Sequence, residues 1–210
     1  MSVLEDISSF LQKGRAKQVQ ALVQQALDEG LSPKQILEEG LLAGMGIIGG
    51  KFKNNEVFVP EVLVAARAMN KGAAILKPYL VADGVEERGT VVIGAVKGDL
   101  HDIGKNLVKM MMEGKGLKVV DLGVDIKSEE FVQAARENNA GIIACAALLT
   151  TTMEEMKGVV DAARSAGIAG LKVMVGGAPV TQEYADLIGA DAYGEDAASA
   201  ADKALELCTA

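Results

Sequence analysis

The chain has 210 residues, half of them apolar, which allows one large domain or two modest ones with real cores. A net charge of −8, 3% aromatic residues and no tryptophan argue against a nucleic-acid surface, which needs basic patches and stacking platforms. The N-terminus lacks the basic and apolar regions of a signal peptide, and no apolar run reaches the roughly 18 residues of a membrane span.

Residues 1–82 read as a helical domain of four helices. Ile7, Phe10 and Leu11 mark a short first helix. Residues 15–29 carry Val19, Leu22, Val23 and Ala26 at helical spacing, and Gly30 ends the run. Ser32 and Pro33 open a third helix as N-cap and first residue, with Ile36, Leu37, Leu41 and Met45 toward the core. The stretch from Gly44 to Gly50 is glycine-rich for a helix, and close approach to a neighbour would offset the cost of about 1 kcal/mol per glycine. A fourth helix spans about 59–79, where Val62, Ala66, Met69, Ala73, Leu76 and Leu80 form the stripe of an antiparallel bundle. Residues 83–89 are polar and end in glycine, which predicts a hinge linker.

Residues 90–210 alternate strand and helix. Apolar runs at 90–96, 117–122, 141–146, 171–175 and 190–193 predict five strands, with helical patterns such as Ile103, Leu107, Met110 and Met111 between them. That alternation predicts an α/β domain with a five-stranded parallel sheet and helices on both faces, in the flavodoxin-like, Rossmann-like order 2-1-3-4-5. A ligand crevice then opens at the carboxyl ends of strands 1 and 3. Gly98 to Lys105 follow strand 1, Ala146 to Thr152 follow strand 3, Gly176 and Gly177 follow strand 4, and Tyr193 closes strand 5, all on one edge. Cys145 and Cys208 form no C-x-x-C pair and read as reduced thiols of a cytoplasmic protein.

The only histidine, His101, lies in the turn Gly98-Asp99-Leu100-His101-Asp102-Ile103-Gly104. A neutral imidazole ligates metals, and a carboxylate on its second nitrogen fixes the tautomer and raises its basicity. Asp99, two residues earlier, is the candidate for that carboxylate, and Gly104 lets a bulky ligand come close. A lone histidine near a helix start is more often structural, so the turn alone leaves both readings open. A phosphate loop is rejected, because five residues separate Gly98 from Gly104 and Asn106 stands where a Ser or Thr belongs.

Asp99-x-His101-x-x-Gly104 resembles the signature of the methionine-synthase-type cobalamin-binding domains. The residues Ala147 to Met153, Gly176-Gly177, Gly44-Met45 and Phe58 to Glu61 extend the match over nearly the whole chain. Size and domain pairing are similar to the stand-alone corrinoid proteins of methanol, methylamine and aryl methyl ether (O-demethylase) methyltransferase systems. The resemblance implies cobalamin or a related cobamide, cycling through methylcobalamin, Co(I) and Co(II) states, with His101 as axial ligand to cobalt. It implies a ligand relay of Asp99, His101 and Thr152, whose protonation would assist release of the lower ligand. Gly98, Leu100, Asp102, Ile103, Gly104, Ala146, Leu148, Thr150, Gly176, Gly177 and Tyr193 would line the cofactor, and Phe58, Val62 and Met69 would cover its upper face. The family's serine is replaced by Ala146, which removes one hydroxyl from the slot for the nucleotide tail.

By the same resemblance the protein carries a methyl group, without turnover of its own. A substrate-specific methyltransferase would load it, a second would pass the methyl to a thiol or folate-type acceptor, and a reductive activating protein would restore the cobalt. A cobalamin-sensing regulatory module is the alternative, although no basic DNA-reading segment is present. A mutase subunit or a flavin binder would differ in its partner or its absorbance.

Overall fold

Ser2 starts the first helix by accepting the Glu5 N–H on its hydroxyl, while the Glu5 carboxylate takes the Ser2 N–H. The helix α1 (Val3–Gln12) buries Leu4, Ile7 and Leu11 on one face. α2 (Ala16–Asp28) buries Val19, Val23 and Ala26, and Gly30 follows it with φ +85°. The predicted third helix is one helical run in three pieces. α3 (Pro33–Gln35) is capped by the Ser32 hydroxyl, a π-helical stretch covers Ile36–Leu42, and α4 (Ala43–Lys53) completes the run. Of its glycines, Gly44 meets the predicted neighbour: a Cβ there would lie 3.0 Å from the Ser8 backbone, whereas one at Gly46, Gly49 or Gly50 would meet nothing. α5 (Val59–Ala82) packs against α2 and buries Val62, Ala66, Met69 and Leu76 of the predicted stripe.

The structure, a computed structural model, describes residues 2–82 and 88–209, and the chain divides into two units, Met1–Glu86 and Glu87–Ala210. Residues 83–87 of the predicted linker lie outside the described residues.

The second unit winds as predicted. Its elements in chain order are β1 (Thr90–Val96), α6 (Ile103–Glu113), β2 (Lys118–Ile126), α7 (Ser128–Glu137), β3 (Ile142–Ala146), α8 (Thr150–Met153), α9 (Glu155–Ser165), β4 (Lys172–Gly176), α10 (Gln182–Ile188), β5 (Ala192–Gly194) and α11 (Ala197–Thr209). All pairings are parallel, in the order β2-β1-β3-β4-β5. Successive strand side chains face opposite ways. Val92, Ile143, Cys145, Val173 and Val175 therefore share a core with Phe131 of α7 and Met156 of α9. The alternate residues are left for the other face, where α6 and α11 pack together.

One strand departs from expectation. β2 runs on to Ile126 rather than stopping at Leu122, because its register against β1 slips twice, between Ile93 and Gly94 and between Gly94 and Val96. Gly123 and Asp125 take positive φ (+90° and +57°), which broke the alternating pattern in the sequence.

Candidate functional site

β1 ends at Val96, and a tight turn (Asp99 N–H to Val96 O, 3.0 Å) sends the chain over the carboxyl edge of the sheet. Gly98 makes this turn at φ +80°, a backbone that side-chain-bearing residues rarely adopt. The turn buries the Asp99 carboxylate completely. Its Oδ1 accepts the His101 N–H at 3.0 Å and the His101 ring Nδ1 at 2.8 Å. Its Oδ2 accepts the Leu148 N–H at 2.7 Å and the Thr152 hydroxyl at 2.6 Å. The predicted trio of Asp99, His101 and Thr152 is thus assembled across strands 1 and 3.

Burial on its own would raise the Asp99 pKa. The hydrogen bonds from Thr152, Leu148 and His101 overcome it and hold the carboxyl well below the usual carboxylate range. An ionised carboxylate only accepts, so the hydrogen between it and the imidazole sits on Nδ1. In the neutral ring the Nε2 lone pair is then left for a ligand. The His101 side chain is 50% exposed. Around it lie large apolar side chains that a soluble protein normally covers: Leu100 is 70% exposed and Ile103 78%, with Leu148 and Leu149 also exposed.

The other predicted residues divide by what holds them. Asp102 caps no backbone; its carboxylate accepts from the Asn106 amide at 3.1 Å. Ala146, at the end of β3, and Tyr193, in β5, are half-buried, and Thr150 is exposed. Gly177, at φ +134°, has a reason that needs no ligand, because a Cβ there would strike the Ala147 carbonyl oxygen. The same close contact seats the β3 loop on β4 through the Ala147 N–H to Gly176 O bond at 3.2 Å. Gly176 is similar, with the Gly194 carbonyl 2.9 Å from its would-be Cβ. In the helical unit Val62 and Met69 are buried in the stripe of α5, and Phe58, 65% exposed, is the one of the three that presents a free face.

Two groups were not foreseen from the sequence. Lys105, buried in the first turn of α6, donates to Asp121 at 2.6 Å and to Asn106 at 2.8 Å. Asp125 contacts the turn itself: its carboxylate accepts the Gly98 N–H at 2.6 Å and its N–H donates to the Asp99 carbonyl at 3.0 Å. The Lys105 contact joins α6 to β2, and the Asp125 contact follows the slipped register of β2; neither leaves a local signal.

The donor set bears on what this site can hold. Among the described residues no cluster of three or more His, Cys, Asp or Glu side chains is arranged to hold a metal ion. One half-exposed imidazole ringed by apolar side chains instead suits a metal that brings its other ligands in a flat macrocycle. Gly104 is exposed in the first turn of α6, where a Cβ would meet no other part of the fold.

A family model described as a B12 binding domain matches residues 89–202, and a second of the same description matches residues 3–77. The chain belongs to the corrinoid proteins. This corrinoid protein is 45% identical over 185 residues to trimethylamine corrinoid protein 1 of Methanosarcina acetivorans, covering 87% of this chain and 86% of the relative. It is 41% identical over 208 residues to the dimethylamine corrinoid protein of Methanosarcina barkeri, covering 98% and 97% of the two chains. Among solved structures it matches a chain of the methanol:cobalamin methyltransferase complex of Methanosarcina barkeri with a TM-score of 0.88 and 31% identity, covering 99% of this chain and 80% of that one. Its cofactor is a cobalamin-type corrinoid.

Proposed function

We propose that the protein carries a methyl group for a methyltransferase system, and that His101 would hold the cobalt of a cobalamin or related cobamide through Nε2. The carrying observation is the Nδ1-to-Asp99 bond of 2.8 Å, which commits the other ring nitrogen to a ligand beside an exposed apolar rim. When bound, the corrinoid supplies a cobalt centre that accepts a methyl group and gives it up again. The chain's own residues hold and orient that group. Asp99 keeps the imidazole in one tautomer and makes it a better donor. Thr152 and the Leu148 N–H keep Asp99 in place and ionised. Leu100, Ile103 and Leu148 offer an apolar bed around the imidazole.

A substrate-specific methyltransferase is the proposed loading partner, and methylamines are the favoured donors, since the curated relatives named above are trimethylamine and dimethylamine corrinoid proteins. A second methyltransferase with a thiol or folate-type acceptor, and a reductive activating protein, complete the system. A cytoplasmic location is part of the same proposal, in keeping with the free thiols of Cys145 and Cys208. The test is electron paramagnetic resonance of the cob(II)alamin-loaded protein labelled with 15N-histidine. The wild type should show coupling to one 15N nucleus, and His101→Ala should lose it. Because His101 is the chain's only histidine, a loaded wild type without 15N coupling would refute the ligand assignment. Methylation assays with trimethylamine, dimethylamine and methanol, each with its partner enzyme, then decide the donor.

A further inference from the structure

We infer that Asp125 is a positioning residue for the cobalt ligand: it fixes the turn that carries Asp99 and His101 by clamping the Gly98–Asp99 peptide from the β2 side. This rests on the assignment of His101 as that ligand. Two bonds make the clamp, the Gly98 N–H to the Asp125 carboxylate at 2.6 Å and the Asp125 N–H to the Asp99 carbonyl at 3.0 Å. They grip the backbone on either side of the Gly98–Asp99 peptide, at the N–H that precedes it and the carbonyl that follows it, and so hold the turn against β2. Asp99 is then held on two sides, its backbone by Asp125 from β2 and its carboxylate by Leu148 and Thr152 from the β3 loop.

The residue type at position 125 suits this task. Its φ of +57° lies in the left-handed region, where Asp and Asn are tolerated but most side chains are not. Glycine would fit the backbone without supplying an acceptor. A longer Glu would not reach back as Asp does. A non-glycine residue held in this region beside a functional turn is the kind of departure that marks a site rather than a fold requirement. The strand is bent to deliver it: Asp121 accepts the Gly123 N–H at 3.0 Å within the first register slip, and the second slip brings Asp125 to the turn. Asp125 is itself exposed and belongs to no core, so its side chain can be removed while the packing stays.

The experiment compares Asp125→Gly, which keeps the backbone conformation and loses the acceptor, with Asp125→Asn, which keeps both. Full-length cofactor-free protein is titrated with cob(II)alamin by absorbance, and the 15N-histidine coupling is read on the loaded samples. Asp125→Gly should bind roughly tenfold more weakly, the loss of one hydrogen bond. The fraction of its cobalt coupled to 15N should fall with it, while Asp125→Asn stays close to wild type. Undiminished coupling in Asp125→Gly overturns the proposal. So does an Asn variant that behaves like the Gly one, because then charge rather than the hydrogen bond matters. If Asp125→Gly fails to fold, Asp125→Ser, a shorter acceptor, takes its place under the same criteria. The wild type read alongside separates the two claims. If it shows no 15N coupling, the ligand assignment is what fails; if it shows the coupling and Asp125→Gly shows it undiminished, Asp125 alone is dismissed.

Discussion

Two carboxylates flank the start of α6, and they are held in opposite ways. Asp99 is fully buried and faces two N–H groups of the backbone, the hydroxyl of Thr152 and the His101 ring. Asp121, on β2, faces two cations, the Lys105 ammonium at 2.6 Å and that of Lys109 at 3.3 Å. Burial pushes both pKa values up, and in both the partners win and bring the pKa below the ordinary value. The outcome for charge differs. The charge of Asp121 is neutralised where it stands, which makes the pair a scaffold anchor between α6 and β2. The charge of Asp99 meets only dipoles, so its field is passed through the imidazole to the exposed nitrogen.

The sharpest way to break this contrast is to remove each carboxylate. Asp99→Ala leaves the Leu148 N–H, the Thr152 hydroxyl and the His101 N–H without their acceptor, at a cost on the order of 3–5 kcal/mol. Asp121→Ala leaves the Lys105 ammonium, with its side chain 1% exposed, only the Asn106 amide, at a cost of about 3 kcal/mol. Urea unfolding of the cofactor-free proteins measures both. The cob(II)alamin spectrum should change qualitatively in Asp99→Ala and only in amount in Asp121→Ala. A common spectral change would erase the distinction.

A smaller effect comes from pH and salt. The folded pKa of Asp121 lies below its ordinary value of about 3.9. Its contribution to stability is therefore complete above that value and is lost as pH falls through the lowered one. Comparing wild type with Asp121→Asn by urea unfolding between pH 6 and pH 2 should show the gap closing on the acid side. Half-molar salt should narrow it further by screening Lys109, which is partly exposed. The smallest effect tests the neutral-donor side. Thr152→Val should cost about 1–2 kcal/mol and shift the cobalt spectrum, whereas Thr152→Ser keeps the hydroxyl and should do neither.

Much of this could be read from the chain. The strand-helix alternation gave the sheet order, and the order alone put the turn after β1 beside the loop after β3. The spacing of Asp99 and His101 is local, so their bond was foreseeable, and Thr152 followed from the family resemblance. Position 104 was read as room for a ligand, and the glycine there is exposed, as are several glycines far from the turn. The glycine pair at 176–177 was read as a ligand lining, but Gly177 answers first to the Ala147 carbonyl, a contact between two loops that no local pattern encodes.

By itself the sequence determined where helices and strands form, because those periodicities are local, and it placed one imidazole two residues after one carboxylate. Only the tertiary structure decided what surrounds that carboxylate. The Asp125 clamp joins residues 27 apart in the chain, and the Thr152 bond joins residues 53 apart. Such pairings depend on strand register, and a shift of one residue turns a side chain to the opposite face. The two slips of β2 that bring Asp125 to the turn are settled by packing against β1, after the chain has closed on itself.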